Sequence, residues 1–130
     1  MGYRVVRAAD VEWEERPATE HTSARFTADV TAAGGLTQSR ARLWRLPPGS
    51  FGRRHAEGVQ EEVFVVLAGT LTLALGDPAV RVEVPAGSLA TVEPGTGIQQ
   101  RNEGDEDCLV FAYGAPPVTG RVSYLDDVAS

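Results

Sequence analysis

The chain has 130 residues, a formal net charge of −6 and an apolar fraction of 42%, values typical of one soluble globular domain with a single core. The acidic balance argues against a nucleic-acid partner, whose phosphates require basic patches, and no apolar run approaches the roughly 20 residues that span a bilayer. All 12 basic residues are arginine, which excludes Schiff-base chemistry and phosphate loops that need a lysine.

Short runs rich in valine, leucine, threonine and aromatic residues, separated by glycine and proline, predict an all-β fold. We expect a single domain over residues 1–130, with an N-terminal arm (1–24), a barrel core (25–114) and a C-terminal tail (115–130). The predicted strands are Arg25–Val30, Arg40–Leu46, Glu62–Leu67, Thr70–Leu75, Val80–Val84, Ser88–Val92, Ile98–Asn102 and Cys108–Tyr113. Many short strands at regular spacing indicate a sandwich or barrel.

The segment "PGSFGRRHAEGVQEEVFVVLAG" places imidazole and carboxylate side chains at defined intervals. Gly49 is followed by five residues and His55, and then by one residue and Glu57. Four residues separate Glu57 from Glu62, and six separate Glu62 from Gly69. This spacing resembles the first motif of the cupin superfamily, in which a glycine, a His-x-His pair, a glutamate and a second glycine occur at the same intervals.

A second and weaker match to the same family follows at Gly87, Gly95 and Asn102. In this alignment Glu93 stands where the family usually has proline, and Ile98 stands where it usually has histidine. Together the two motifs cover the middle of the chain. The resemblance implies a small double-stranded β-helix (jelly-roll) barrel.

Members of this family usually hold a metal ion with three histidines and one glutamate inside the barrel. By resemblance the ligands here are His55, Glu57 in place of the second histidine, and Glu62, whereas Ile98 replaces the third histidine and cannot bind a metal. One imidazole and two carboxylates form a sound three-ligand set for a divalent ion such as Mn, Fe, Zn or Ni. The cofactor expectation is therefore one such ion or none.

The same residues also allow a metal-free acid–base site. His55 is then the general base, because a histidine held against a carboxylate transfers protons near neutral pH. Tyr113, Glu57 or Glu62 is the candidate acid partner. Metal-free cupins that epimerise or isomerise sugar nucleotides are similar in this pairing. A third interpretation keeps the pocket without the chemistry, as a ligand-binding or accessory module.

Strand alternation predicts the walls of a ligand pocket around this site. Glu62 shares a strand face with Phe64, and an inward carboxylate requires a compensating partner, which is a metal ion, His55 or an arginine; the candidate arginine is Arg42. Arg53 and Arg54 are expected at the mouth of the pocket, where they could attract an anion. The predicted pocket residues are Arg42, Trp44, Phe64, Ile98 and Gln100.

These patterns predict a cupin that binds a small molecule. If it is an enzyme, the leading hypothesis is a metal-dependent oxygenase or isomerase acting on a small organic acid or carbonyl compound, followed by a metal-free epimerase or isomerase. An open barrel of this size is expected to pair with a copy of itself as a homodimer. The single cysteine, Cys108, lies in an apolar run, which predicts a buried hydrophobe, and it fits a cytoplasmic location.

Overall fold

The chain's structure is a computed structural model that describes residues 2–117 and 122–126. The strands are β1 (Glu14–Arg16), β2 (Arg25–Asp29), β3 (Arg40–Leu46), β4 (His55–Glu57), β5 (Glu61–Ala68), β6 (Thr70–Leu75), β7 (Val80–Pro85), β8 (Leu89–Val92), β9 (Gly97–Arg101), β10 (Cys108–Ala115) and β11 (Val122–Tyr124). One antiparallel sheet has the order β1-β2-β3-β10-β5-β8, and the other has the order β11-β4-β9-β6-β7. This arrangement confirms the predicted all-β fold, a double-stranded β-helix (jelly-roll) barrel.

Every strand predicted from the sequence is present, with ends that differ by at most two residues. The prediction was wrong at Val30, which begins a short helix, α1 (Val30–Gly34). The helix starts here because the Asp29 carboxylate accepts a hydrogen bond from the Ala32 amide at 3.3 Å, as an N-cap does. None of the helices within the described ranges has the length and apolar character that crossing a bilayer requires.

Both terminal regions add strands to the sheets. β1 lies in the region predicted as an arm and pairs with β2, whereas β11 lies in the region predicted as a tail and pairs with β4. β4 itself was not predicted, because three residues are too few to give a clear alternation. Residues 118–121 and 127–130 of the predicted tail lie outside the described part of the chain.

The core lies between the inward faces of the two sheets. Its side chains are aliphatic for the most part, and Phe64 and Ile98 pack in the same cluster. Cys108 is fully buried there, and burial raises the pKa of its thiol to about 11. It therefore packs as a small hydrophobic residue, as expected, and does not form a reactive thiolate at neutral pH.

Gly69 forms the tight connection between β5 and β6. Its φ of 73° lies in the left-handed region, which favours glycine. A Cβ atom at this position would also lie 2.5 Å from the Asp107 carbonyl oxygen. The second glycine of the motif is thus required by backbone conformation and by a close backbone approach, and not by the chemistry of the pocket.

Candidate functional site

A cavity of about 390 Å³ opens between the two sheets. It is lined by side chains of both sheets and by the terminal strands β1 and β11. The sequence-predicted site residues among its lining are Arg42, Trp44, His55, Glu57, Glu62, Phe64, Ile98, Gln100 and Tyr113. The structure therefore brings all of them to one cavity.

The cavity exists because β10 carries small residues where it crosses the centre of its sheet. Gly114 is the register partner of Arg40 on β3 and of Glu62 on β5. One step along the same inward face, Ala112 is the register partner of Arg42 and Phe64. A larger side chain in place of Ala112 would enter this space, whereas a Cβ atom at Gly114 would collide with the Gln60 side chain that packs there.

His55 lies on β4, which is held on both sides by other strands. Its register partners are Ile98 on β9 and Tyr124 on β11. The imidazole Nδ1 lies 2.9 Å from the Arg53 carbonyl oxygen. Because a carbonyl oxygen can only accept, Nδ1 carries the hydrogen and donates it, so that Nε2 of the neutral ring holds a free lone pair.

The free nitrogen of His55 faces the carboxylate of Glu57. Its Nε2 lies 3.8 Å from Glu57 Oε1, and the two side chains are 30% and 12% exposed. The gap is longer than a hydrogen bond, and both atoms are acceptors when the ring is neutral. A proton on the imidazole, or a donor group of a ligand placed between the two, would satisfy both acceptors.

Glu62 is the carboxylate that its environment perturbs most clearly. Burial, together with the smaller effect of the Glu57 charge, raises the pKa of Glu62 to about 7 against the opposing charge of Arg40. The compensating arginine is thus Arg40 and not Arg42 as predicted, because Arg40 shares the register partner Gly114 with Glu62. Near pH 7 the Glu62 side chain is therefore partly a neutral acid that can donate a hydrogen bond.

The predicted metal ligands do not fit a metal ion in this arrangement. Among the described residues, no group of three histidine, cysteine, aspartate or glutamate side chains is placed to hold one. His55 and Glu57, with Nε2 and Oε1 3.8 Å apart, are only two of the three predicted ligands. Opposite His55 in the register stands Ile98, which carries no ligand atom.

The cavity is strongly basic although the chain as a whole is acidic. Two carboxylates face it, those of Glu57 and Glu62. The arginines among its lining residues are Arg16, Arg25, Arg40, Arg42 and Arg53. Five guanidinium groups against two carboxylates, one of them partly protonated at pH 7, leave an excess of positive charge. This excess favours an anionic ligand.

Two of the predicted residues, Tyr113 and Gln100, differ in how they face the cavity. Tyr113 borders the cavity, but its ring stacks on Phe111, with centroids 6.4 Å apart, on the face of β10 opposite to Ala112. Gln100 lines the cavity, as its alternation with Ile98 predicted. Tyr113 is therefore poorly placed to act as the acid, which leaves Glu57 and Glu62.

The expectation that Arg54 lies at the mouth of the pocket was wrong. Arg54 is 5% exposed, and its guanidinium donates to the carbonyl oxygens of Gly76 and Asp126 at 2.7 and 2.8 Å and to Asp77 Oδ1 at 2.9 Å. It holds the loops around β4 together. The preceding residue, Arg53, does line the cavity and lies 4.2 Å above the ring of Tyr124.

Sequence reasoning missed the contribution of the terminal strands to this site. Arg16 and Arg25 reach the cavity from β1 and β2, and Val122 and Tyr124 reach it from β11. The strands β1 and β11 have three residues each, so their alternation carries almost no signal. In β2, by contrast, Arg25 and Thr27 are two residues apart and so share one strand face. This spacing could have indicated an inward Arg25.

Comparison with known families and structures gives a consistent assignment of the fold. Residues 42–113 match the family model described as Cupin domain, which is more than half of the chain. A comparison with curated proteins gives no match.

Several solved structures are similar over most of this chain. A sugar phosphate isomerase from a cupin superfamily, from Silicibacter pomeroyi, has a TM-score of 0.77 at 23% identity, with 95% of this chain and 83% of that chain covered. A predicted oxalate decarboxylase from Thermotoga maritima has a TM-score of 0.75 at 20% identity, with coverages of 87% and 99%. The polyketide cyclase RemF from Streptomyces resistomycificus has a TM-score of 0.76 at 18% identity, with coverages of 96% and 87%. At these identities the similarity shows a shared fold alone.

Proposed function

Since this chain belongs to the cupin domain family, we propose that its cavity binds a small anionic organic molecule and transfers a proton on it, with His55 as the base and Glu62 as the acid. The observation that carries the proposal is the combination, in one arginine-lined cavity, of an imidazole nitrogen with a free lone pair and a carboxyl group whose pKa is about 7. Groups with these properties at neutral pH are those that acid–base catalysis requires.

His55 is suited to accept a proton from carbon or oxygen. The hydrogen bond from Nδ1 to the Arg53 carbonyl fixes the ring and its tautomer, so Nε2 is the basic atom. The Glu57 carboxylate, 3.8 Å from Nε2, stabilises the imidazolium that forms when the proton arrives. A base positioned in this way typically contributes about 10²- to 10⁴-fold in rate.

Glu62 is suited to protonate an oxygen atom in the same step. When His55 removes a proton from carbon next to a carbonyl group, the C–H electron pair forms a carbon–carbon double bond and the carbonyl oxygen takes the Glu62 proton. In an α-hydroxy carbonyl compound the intermediate is an enediol, and the isomer forms when His55 returns its proton to the former carbonyl carbon while the neighbouring hydroxyl group gives its proton to Glu62. When the proton reaches the opposite face of the original carbon instead, the enol oxygen gives its proton back to Glu62 and the product is the epimer. The reaction class is thus isomerisation or epimerisation of a small organic acid or carbonyl compound, and it needs no metal ion.

Arg40 and Arg42 provide the charge that holds such a substrate. Both line the cavity from β3, on the sheet that carries Glu62. Guanidinium groups bind carboxylate and phosphate oxygens in pairs, which also orients the substrate. That an isomerase is among the similar structures is compatible with this class of reaction.

The test is exchange of substrate protons with solvent, which requires no knowledge of the product. The full chain is incubated in D₂O with a panel of small keto acids, hydroxy acids and sugar phosphates, and loss of C–H signals is followed by NMR. His55→Gln is expected to slow the exchange of an active compound by about 10²-fold or more, and Glu62→Gln to slow it less.

Two matched variants serve as controls. Glu61→Gln removes the neighbouring carboxylate, which is exposed and does not line the cavity, and His21→Gln removes the other histidine. Both should retain the rate of the wild type. Exchange that persists in His55→Gln would overturn the assignment of the base. A compound that binds with micromolar affinity and never exchanges would instead identify a non-catalytic binding module.

A further inference from the structure

Two arginines of neighbouring strands face each other at the wall of the cavity. Arg16 on β1 and Arg25 on β2 are register partners, and both line the cavity. Like charges directly opposite each other on paired strands are destabilising. Burial lowers the pKa of Arg25, and the neighbouring charge of Arg16 lowers it as well. This pair therefore costs folding free energy as long as no anion lies beside it.

The two guanidinium groups have little compensation within the described part of the chain. Arg16 Nε lies 3.8 Å from Glu14 Oε1, which is too long for a hydrogen bond, and an exposed pair of this kind contributes little. No carboxylate of residues 2–117 or 122–126 forms an ion pair with Arg25, whose guanidinium carbon lies 4.9 Å from the centroid of the Trp44 ring. The Nε atoms of both arginines are buried without a hydrogen-bond acceptor among the described residues. The charge of both groups is thus left largely uncompensated by the described residues.

The position of Arg25 depends on the absence of a side chain at Gly52. A Cβ atom built on Gly52 would lie 2.8 Å from a terminal nitrogen of the Arg25 guanidinium. The amide of Gly52 donates to the Gln100 carbonyl oxygen at 2.9 Å. This bond attaches Gly52 to the sheet that contains β9, whereas Trp44 lies on β3 of the other sheet. The guanidinium therefore occupies a gap between the two sheets, with Trp44 on one side and Gly52 on the other.

We propose that Arg16 and Arg25 form an oxyanion subsite, which binds a second phosphate or carboxylate group of the substrate in addition to the group held by Arg40 and Arg42. The subsite extends the proposed function, since both use the same cavity. Trp44, under Arg25, lies four residues along β3 from Arg40, or about 13 Å for a strand. The substrate is accordingly a molecule that carries two anionic groups.

The subsite can be tested with simple anions, separately from any reaction. Inorganic phosphate and acetate are titrated into the full-length protein by isothermal calorimetry at low salt, where charge interactions are least screened. Arg25→Gln and Arg16→Gln are each expected to weaken the preferred anion about tenfold, the value of one charge-assisted hydrogen bond. Tighter binding of phosphate than of acetate assigns a phosphate group to the subsite, and the reverse order assigns a carboxylate.

Gly52→Ala is the most specific test of the Arg25 position, because it changes no charged residue. The φ of Gly52 is not positive, so alanine is compatible with the backbone, and its Cβ must displace the Arg25 guanidinium. We expect weaker anion binding with unchanged net charge. Arg45→Gln is the control that removes a charge, since Arg45 stacks on Phe26 and Trp13 and does not line the cavity. It should bind as the wild type does.

The outcomes separate this subsite from the proton transfer. Equal affinity of wild type, Arg25→Gln and Gly52→Ala, each checked for folding by thermal unfolding, would overturn the subsite, as would affinity lost equally in Arg45→Gln. If His55→Gln binds the anion normally but no longer exchanges substrate protons, both proposals stand. If the wild type exchanges no compound while anion binding still depends on Arg25, the subsite stands and the proposed reaction fails.

Discussion

Arg40 and Glu62 lie on the two strands that flank β10, and both have Gly114 as their register partner. Gly114 itself has no side chain, the Gln60 side chain packs against its Cα, and the charge of Arg40 acts on Glu62 across the strand. Its attraction does not overcome the effects of burial and of Glu57, because the pKa of Glu62 still rises to about 7. Glu62 is therefore a group whose ionisation opposes folding, and this has a measurable consequence.

The first prediction concerns the stability of Glu62→Gln at different pH values. Between pH 4.5 and about 7 the folded chain keeps the Glu62 proton and the unfolded chain has released it. The unfolded state then binds fewer protons, so this group lowers the free energy of unfolding as pH rises. The amide does not titrate. When the pH is raised from 4.5 to 8, the free energy of unfolding of Glu62→Gln should therefore increase by about 1 to 3 kcal/mol relative to that of the wild type. Urea unfolding at both pH values measures the difference, and Glu61→Gln, which changes an exposed carboxylate, should show no such gain.

The second prediction concerns the buried Arg54. Its three hydrogen bonds join β4 to the Gly76 turn and to Asp126 near the end of the described chain. Arg54→Gln should lower the free energy of unfolding by about 2 to 4 kcal/mol, because buried acceptors lose charged donors. Arg53→Gln, at the adjacent residue over the Tyr124 ring, should cost less than about 1 kcal/mol. Equal losses in the two variants, measured by chemical denaturation, would contradict the structural role of Arg54.

The third prediction uses the small residue that leaves room for the cavity. Ala112 lies between Arg42 and Phe64 in the register of the sheet, and it faces the cavity. Ala112→Leu should fill this space and abolish binding of any substrate-sized ligand. Its stability should change by less than about 2 kcal/mol, since the added side chain enters an open space. Ala112→Ser, of similar size to alanine, should bind ligand normally, and retained binding in Ala112→Leu would show that the ligand lies elsewhere.

The fourth prediction concerns metal content. Because His55, Glu57 and Glu62 are not arranged as a ligand set, protein purified without chelators and then supplied with Mn, Fe, Zn or Ni should hold far less than one ion per chain. Elemental analysis after gel filtration gives the ratio. A stoichiometric ion that is lost in both His55→Ala and Glu62→Ala would restore the metal-dependent hypothesis, in which the side chains rearrange around the ion.

The fifth prediction concerns self-association, which the sequence analysis expected. The edge strands β7 and β8 follow each other in the chain and carry exposed apolar side chains, among them Val80, at 64% exposure, and Leu89, at 58%. Unpaired edges with apolar residues favour pairing with another chain. We expect a homodimer, with twice the 13.9 kDa mass of the chain in light scattering, and a monomer for the Val80→Lys/Leu89→Lys double variant. A monomeric wild type, or a dimer that survives both lysines, would contradict this interface.

The fold was predictable because local signals agreed along the middle of the chain. Alternation in β3 and β5 placed Trp44 and Phe64 on inward faces, and glycines at turns such as Gly69 fixed the ends of the strands. The spacing of His55 and Glu62 identified the barrel family, which the match to the cupin domain confirms. Each of these features depends on residues that are close in sequence.

The site was less predictable because it depends on pairings between distant strands. Arg42 and Arg40 share one face of β3, and only the register with β10 and β5 shows that Arg40 is the one opposite Glu62. Arg54 resembled a surface charge in sequence, and its acceptors come from residues more than twenty positions away. The contribution of Arg16 required the pairing of β1 with β2, which a strand of three residues cannot specify.

The stacking of Arg25 on Trp44 also gives the protein a built-in optical reporter. The chain has two tryptophans, and the other, Trp13, lies outside the cavity against Arg45. In a Trp13→Phe variant all indole emission therefore comes from a ring that lines the cavity and contacts a guanidinium. An anion that draws Arg25 away from the ring changes the intensity and wavelength of that emission directly. Compound collections can thus be screened by fluorescence before any turnover is known.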